Sequence, residues 1–344
     1  MQRQIECEIN ADIGREVAFL ASTEAHAERP IRVETIETHY SWVFLTDDYV
    51  YKLKKPLRGD GFDFSTPAAR RRNGEAELRL NRRLAADVYI RVLPLTLKGD
   101  CKLAIDGHGL IVDWLVKMLR LPAKHMLDRR LAEGHWHYAD IRVLAACLAK
   151  FFGNARRVRA EPAAYIARFR DECRTSREAF HLHANSALDD AAKHIIRYIE
   201  AFIRRRNDLL LQRLEDHRII EGHGDLRPEH ICLGSTPRII DCLEFRSDLR
   251  TLDPVDELAF LAMECERLGV RSIGPVLFYC YGHRTGDNPP PVLITFYKAV
   301  GALIRARIAI LHLREKPSRD PEKWPKRALE YLEIARRHCR HLGL

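Results

Sequence analysis

A two-lobed α+β fold, with a β-rich N-terminal lobe and a mainly helical C-terminal lobe, is predicted by three observations. Strand-like runs crowd into the first 120 residues around a single helical segment. After Leu121-Pro122, apolar residues recur at three- and four-residue spacing, the period of amphipathic helices. A short stretch, EGHGDLRPEHICLGSTPRIIDCLEF (221–245), then interrupts those helices with β-like pieces. The expected division is 1–120 for the front lobe and 121–344 for the back lobe, which would carry that stretch. A ligand is expected in the cleft between lobes.

The elements follow in order. Residues 11–22 suit a short helix. IRVETIE, SWVFLT and YVYKLKK read as strands, with Thr46-Asp47-Asp48 as the turn joining the last two. Ser65 is the expected N-cap of a helix, with Thr66 and Pro67 in its opening positions, running to about Ala86. YIRVLPLTL, CKLAI and LIVDWLVKML are three more strands, separated by Gly- and Asp-rich turns. Helical periodicity then runs through HYADIRVLAACLAKFF, PAAYIARFRDECRTS and LDDAAKHIIRYIEAFIRRRNDLLLQRL. Helices resume from Asp253 to the end.

Composition narrows the function classes. The chain has 344 residues, 46% of them hydrophobic, enough for a sizeable core. Its formal charge of +9 suits an anionic ligand such as a nucleotide, and also nucleic acid. The Arg70–Arg72 and Arg204–Arg206 runs lie in helical patterns, where such runs usually face solvent. A nucleic-acid role has no recognisable reader motif behind it. The nine cysteines form no C-x-x-C pair, and their odd number without a secretory leader points to a reducing, cytoplasmic setting. The longest apolar stretch, 292–313, carries Lys298, Arg305 and Arg307; it reads as a core helix and not as a membrane span.

The chemistry concentrates at 221–245. Asp225 follows His223-Gly224 at a strand end, and Asp241 follows a buried-looking Ile239-Ile240 pair. A strand, the turn Gly234-Ser235-Thr236-Pro237 and a second strand between them would bring the two acids together. One carboxylate can orient a hydroxyl and accept its proton; the other can hold Mg²⁺ against phosphate oxygens. Phosphoryl transfer needs that division of labour. Each acid alone also suits a turn cap, or for Asp241 a pair with a nearby arginine.

This stretch resembles the H-x-D-x-x-x-x-N loop and metal-binding Asp of the aminoglycoside phosphotransferase and choline kinase-like superfamily. It is closer to an uncharacterised bacterial branch often fused to a P-loop ATPase domain. The likeness is carried by ETHYSWVFL (37–45), YKLKKP (51–56), ELRLNRRL (77–84), HGDLRPEHICL (223–233), and DCLEF (241–245) leading into LDPVDELAFL (252–261). No G-x-x-x-x-G-K-[ST] occurs, so the ATPase half is not expected here; the resemblance leaves open a separately encoded ATPase partner.

The resemblance implies a protein kinase-like fold and an ATP- and Mg²⁺-dependent phosphotransferase acting on a hydroxyl of a small molecule. Asp225 is then the catalytic base, His223 its brace and Asp241 the Mg²⁺ ligand. Lys52 matches the phosphate-holding lysine, with Lys54 its rival on the same strand face. Glu77 matches that lysine's partner, with Glu75 as competitor. Ser41 lies in the nucleotide-covering turn, and the hinge near Met118 to Pro122 would meet the adenine. Asp256 would tie down the catalytic loop, and Glu244 and Asp253 would lie near the cleft.

Two departures stand out. His230 occupies the position of the second metal ligand, where the family has Asn. It would bind a metal, brace the Asp225 loop, or mark a lost metal site. The turn Thr38–Ser41 has no glycine. Both leave a second reading in place, a pseudokinase that binds nucleotide without turnover.

Overall fold

The computed structural model describes residues 13–59, 61–99, 102–183, 186–313 and 322–343. The chain divides into two compact units, residues 1–123 with 238–247, and residues 124–237 with 248–344. The segment holding Asp241 therefore folds with the first unit, although the sequence division at 120 assigns it to the second.

The first unit is built on a six-stranded antiparallel sheet. Its strands are β1 (Glu34–Glu37), β2 (Ser41–Leu45), β3 (Tyr49–Lys54), β6 (Tyr89–Leu97), β7 (Leu103–Ile105) and β8 (Leu110–Leu119), in the order β1-β2-β3-β8-β6-β7. A small hairpin of β4 (Arg58–Gly59) and β5 (Phe62–Asp63) was not foreseen from the sequence. Alternation along the strands sends Phe44, Tyr51, Leu53, Leu93, Leu95, Val112 and Leu115 into one core cluster with Leu20. Leu20 closes the helix Ile13–Leu20; residues 11 and 12 of the expected helix lie outside the described residues, as does Cys101.

Alternation also puts Lys52 and Lys54 on the face opposite Tyr51 and Leu53. The helix Pro67–Asn81 packs against β8 and β6. A Cβ at Gly74 would stand only 3.3 Å from Val116, so glycine there permits close helix–sheet approach. A buried ion pair joins that helix to the sheet, Arg70 Nε to Asp113 Oδ1 at 2.8 Å. The helix is capped by Thr66, whose hydroxyl accepts the Ala69 amide at 3.2 Å. Ser65 is not the cap: its amide and hydroxyl both donate to Asp63. The helix stops at Asn81, short of Ala86, because residues 82–85 turn tightly towards β6.

The second unit is mainly helical. Its long helices are Tyr138–Asn154, Pro162–His181, Ser186–Arg205, Pro254–Arg267, Ile273–Thr285, Pro291–His312 and Lys323–Cys339. The pattern over 188–214 is broken at Arg206, whose φ of −133° leaves the helical region before a second helix, Asn207–Glu215. Ile220–Glu221 pairs antiparallel with Thr251–Leu252, a ladder that delivers the 222–230 loop beside the start of helix Pro254–Arg267. Asp253 caps that helix through Val255 and is buried against Arg213, with Nε–Oδ2 at 2.7 Å; it is a buried structural group. The seven described cysteines are free thiols. Among the described residues no helix is long and apolar enough to cross a membrane.

Candidate functional site

In the first unit, five ionisable side chains form one network. Lys52 Nζ donates to Glu77 Oε1 at 2.9 Å and to Asp241 Oδ1 at 2.8 Å. Lys54 Nζ lies 2.9 Å from Glu77 Oε2 and pairs with Glu244. Both lysines thus share one fully buried carboxylate, a separate oxygen each. The alternative Glu75 is half-exposed and pairs with Arg71 on its own helix.

Electrostatics follow from this geometry. Burial alone would depress the Lys52 ammonium, but Asp241, Glu77 and Glu244 outweigh it and hold it well above its ordinary value. Burial would likewise raise Glu77, and the two lysines reverse that, so it stays ionised below the usual carboxylate range. Glu244 goes the other way: burial dominates and raises it despite Lys54. With all five ionised, two cations face three anions, one net negative charge.

Asp241 has φ of +62°, a left-handed conformation that Asp tolerates better than most side chains. Tertiary contacts hold it there. Its amide donates to the Tyr89 hydroxyl at 3.1 Å, and the Cys242 amide donates to Asn81 Oδ1 at 2.8 Å. Asn81 stands one helical turn beyond Glu77 and also donates to its carbonyl. Neither Tyr89 nor Asn81 was singled out by sequence. The i, i+4 spacing of Glu77 and Asn81 was the available signal.

Downstream, Phe245 joins an aromatic cluster with Tyr40, Phe62 and Phe64, at centroid distances of 5.0 to 6.4 Å. Tyr40 thereby ties the 38–41 turn to the 241–245 segment. Ser41, expected in the nucleotide-covering turn, lies at the end of that turn and opens β2. It is fully buried, and its amide donates to Thr38 Oγ1 at 3.0 Å, inside the turn. Met118 is a core residue, packed with Val88, Tyr89 and Val116 near Ile240. The Leu119 and Arg120 amides that follow it donate to Val88 and Asp48 carbonyls.

In the second unit, the 222–230 loop is held by Glu257. Its Oε1 accepts the His223 amide at 2.8 Å and also the Gly224 amide. Asp256, the residue expected in that role, pairs instead with Arg168 at 2.7 Å. On a helix, adjacent residues point in directions about 100° apart, so only one of them faces the loop. Gly224 has φ of +88°, which a side chain would strain. The Asp225 amide donates to Nδ1 of the buried His223 at 3.2 Å, so His223 braces the loop directly.

The Asp225 carboxylate is contacted by Arg227, with Nε 3.1 Å away. Arg227 also donates through Nη1 to Glu229 at 3.0 Å and lies 3.0 Å from His230 Nε2 through Nη2. His230 Nδ1 is 2.9 Å from the Asp225 carbonyl oxygen. Both nitrogens of His230 are therefore engaged within the loop, against its expected place as a metal ligand. Among the described residues no three His, Cys, Asp or Glu side chains come together as a metal cluster.

No protein-family model matches the chain. The structure resembles the GDP complex of aminoglycoside 2'-phosphotransferase-IIIa, with a TM-score of 0.52 and 16% identity, covering 95% of this chain and 98% of the other. It also resembles choline kinase from Cryptosporidium parvum, with a TM-score of 0.56 and 10% identity, covering 95% and 97%. The chain thus has the kinase-like α+β fold shared by aminoglycoside phosphotransferases and choline kinases.

Among curated proteins, it is 31% identical over 317 residues to the uncharacterized proteins Rv2004c of Mycobacterium tuberculosis and Mb2027c of Mycobacterium bovis. That match covers 90% of this chain, which spans about 60% of the length of each relative.

Proposed function

We propose that the chain is an ATP-dependent phosphotransferase that acts on a hydroxyl of a small molecule. The observation that carries this reading is the position of Lys52, shared between a buried glutamate and the exposed-side acid Asp241. A lysine so held is a fixed positive point for nucleotide phosphates, and preorganised charge is the main resource of phosphoryl transfer.

The residues fit a divalent cation. Asp241 offers a hard oxygen donor, its side chain 45% exposed, in a network of two lysines and three carboxyl groups. Mg²⁺ uses one or two carboxylates and completes its shell with water and phosphate oxygens, so a three-residue cluster is not needed. When bound, the metal would neutralise charge on the phosphates. Lys52 would hold the same phosphates, with Lys54 securing Glu77 and Glu244. Asp225 would orient the acceptor hydroxyl and take its proton, with His223 and Glu257 fixing the loop.

The resemblance to aminoglycoside and choline kinases is one of fold, and the acceptor of this chain is left as a hydroxyl compound. A second reading, nucleotide binding without turnover, is favoured by the engagement of His230 and the closed, glycine-free 38–41 turn. Calorimetry of ATP binding with and without Mg²⁺, on wild type and Asp241→Ala, separates the two. The phosphotransferase reading expects metal-dependent binding that the substitution abolishes. Binding indifferent to both would leave the second reading, and no binding would overturn both.

A further inference from the structure

We propose that His230 is a positioning residue that holds Arg227 against Asp225, and that it is not a ligand of a divalent cation. Its bearing on catalysis rests on the phosphotransferase reading; its chemistry does not.

A guanidinium only donates. Arg227 Nη2 lies 3.0 Å from His230 Nε2, so that nitrogen must be the acceptor. The ring proton then sits on Nδ1, which faces the Asp225 carbonyl oxygen at 2.9 Å, an obligate acceptor. The two contacts demand the same neutral tautomer, and together they engage both ring nitrogens. A metal would have to displace either an arginine or a carbonyl. The ring is 9% exposed, and Nε2 faces a cation.

The same contacts give His230 a task. Arg227 has its three nitrogens distributed over Asp225, Glu229 and His230. A planar fork held at three corners cannot rotate, so the Nε–H that meets the Asp225 carboxylate is set in direction. His230 meanwhile ties down the backbone of the same aspartate, across five residues. Asn and Gln both carry one amide donor and acceptor, but Gln has one more methylene and so the longer reach towards the Arg227 Nη2 that meets His230 Nε2.

The test uses the full chain labelled with ¹⁵N-histidine and ¹⁵N-arginine. His230 is expected as the Nδ1–H tautomer, with an Nε2 shift typical of an acceptor, unchanged by saturating Mg²⁺ with ATP. The Arg227 Nε proton should exchange slowly in wild type and in His230→Gln, and rapidly in His230→Leu. Mn²⁺ bound per chain in the presence of ATP, counted by electron paramagnetic resonance, should be the same in wild type and His230→Gln. An Nε2–H tautomer, a metal-dependent shift at His230, or fewer Mn²⁺ in His230→Gln would overturn the proposal. If ATP does not bind, the phosphotransferase reading falls, while the tautomer measurement on the protein alone still decides the role of His230.

Discussion

Lys54 shares the Glu77 carboxylate with Lys52, lying 2.9 Å from the oxygen that Lys52 does not contact. One buried acid thus bridges two neighbouring strand lysines, whose other partners are Asp241 and Glu244. Removing it takes one partner from each lysine and leaves Lys52 with Asp241 and Lys54 with Glu244 alone; breaking a buried ion pair from one side costs up to about 3–5 kcal/mol. Glu77→Ala should therefore lower the urea midpoint strongly, whereas Glu75→Ala should change it little, since Glu75 is exposed.

Glu77 also makes a pH prediction. Its folded pKa lies below the ordinary 4.5, owing to the lysines acting against burial. The unfolded chain then takes up its proton first on acidification. The stability it supplies is present above about pH 4.5 and is lost as pH falls through the folded value. In Glu77→Gln that component of acid destabilisation should be missing from a series of denaturant titrations.

Asp256 should behave with the opposite sign. Burial raises it to about 6 from an ordinary 3.8, with Arg168 opposing. Between those values the folded state holds a proton that the unfolded state releases, so stability should fall as pH rises through this window. Asp256→Asn should flatten that slope, and thermal melts from pH 4 to 7 would read it.

The loop that carries Asp225 depends on Glu257. Glu257→Ala removes the acceptor of two backbone amides, and each buried unsatisfied donor costs about 1–3 kcal/mol. Faster hydrogen exchange at 223 and 224, beyond any global loss of stability, is the expected signature. Gly222→Ala should act similarly, because its Cβ would stand 2.7 Å from Glu257 Oε2.

Tyr40 and Phe245 join the 38–41 turn to the segment carrying Asp241. Aromatic contacts of this kind contribute about 0.5–1.5 kcal/mol each beyond burial. Phe245→Ala should loosen both ends of the contact, so exchange should quicken in residues 38–41 as well as 241–245. Protection of the turn unchanged in this variant would show that the cluster does not couple them.

Much of the fold was legible because periodicity is local. The strand alternation around Lys52 and Lys54, the turn at 46–48 and the helical spacing after 137 all follow from side-chain pattern alone. So did the two acids, since each closes a β-like run beside glycine or an apolar pair. Helix ends were less legible: Ser65 and Thr66 are both good caps, and only the pull of Asp63 on Ser65 decided between them.

What the sequence determined by itself was the element order, the separation of a β-rich part from a helical part, and the list of candidate ionisable groups. Tertiary structure decided which of these groups lie together. Glu77 rather than Glu75, Glu257 rather than Asp256, and Arg227 as the partner of His230 were settled by which side of a helix or loop met which neighbour. Such choices turn on burial and on distances of about 3 Å between residues far apart in the chain, where hydrogen-bond and ion-pair energies are decided.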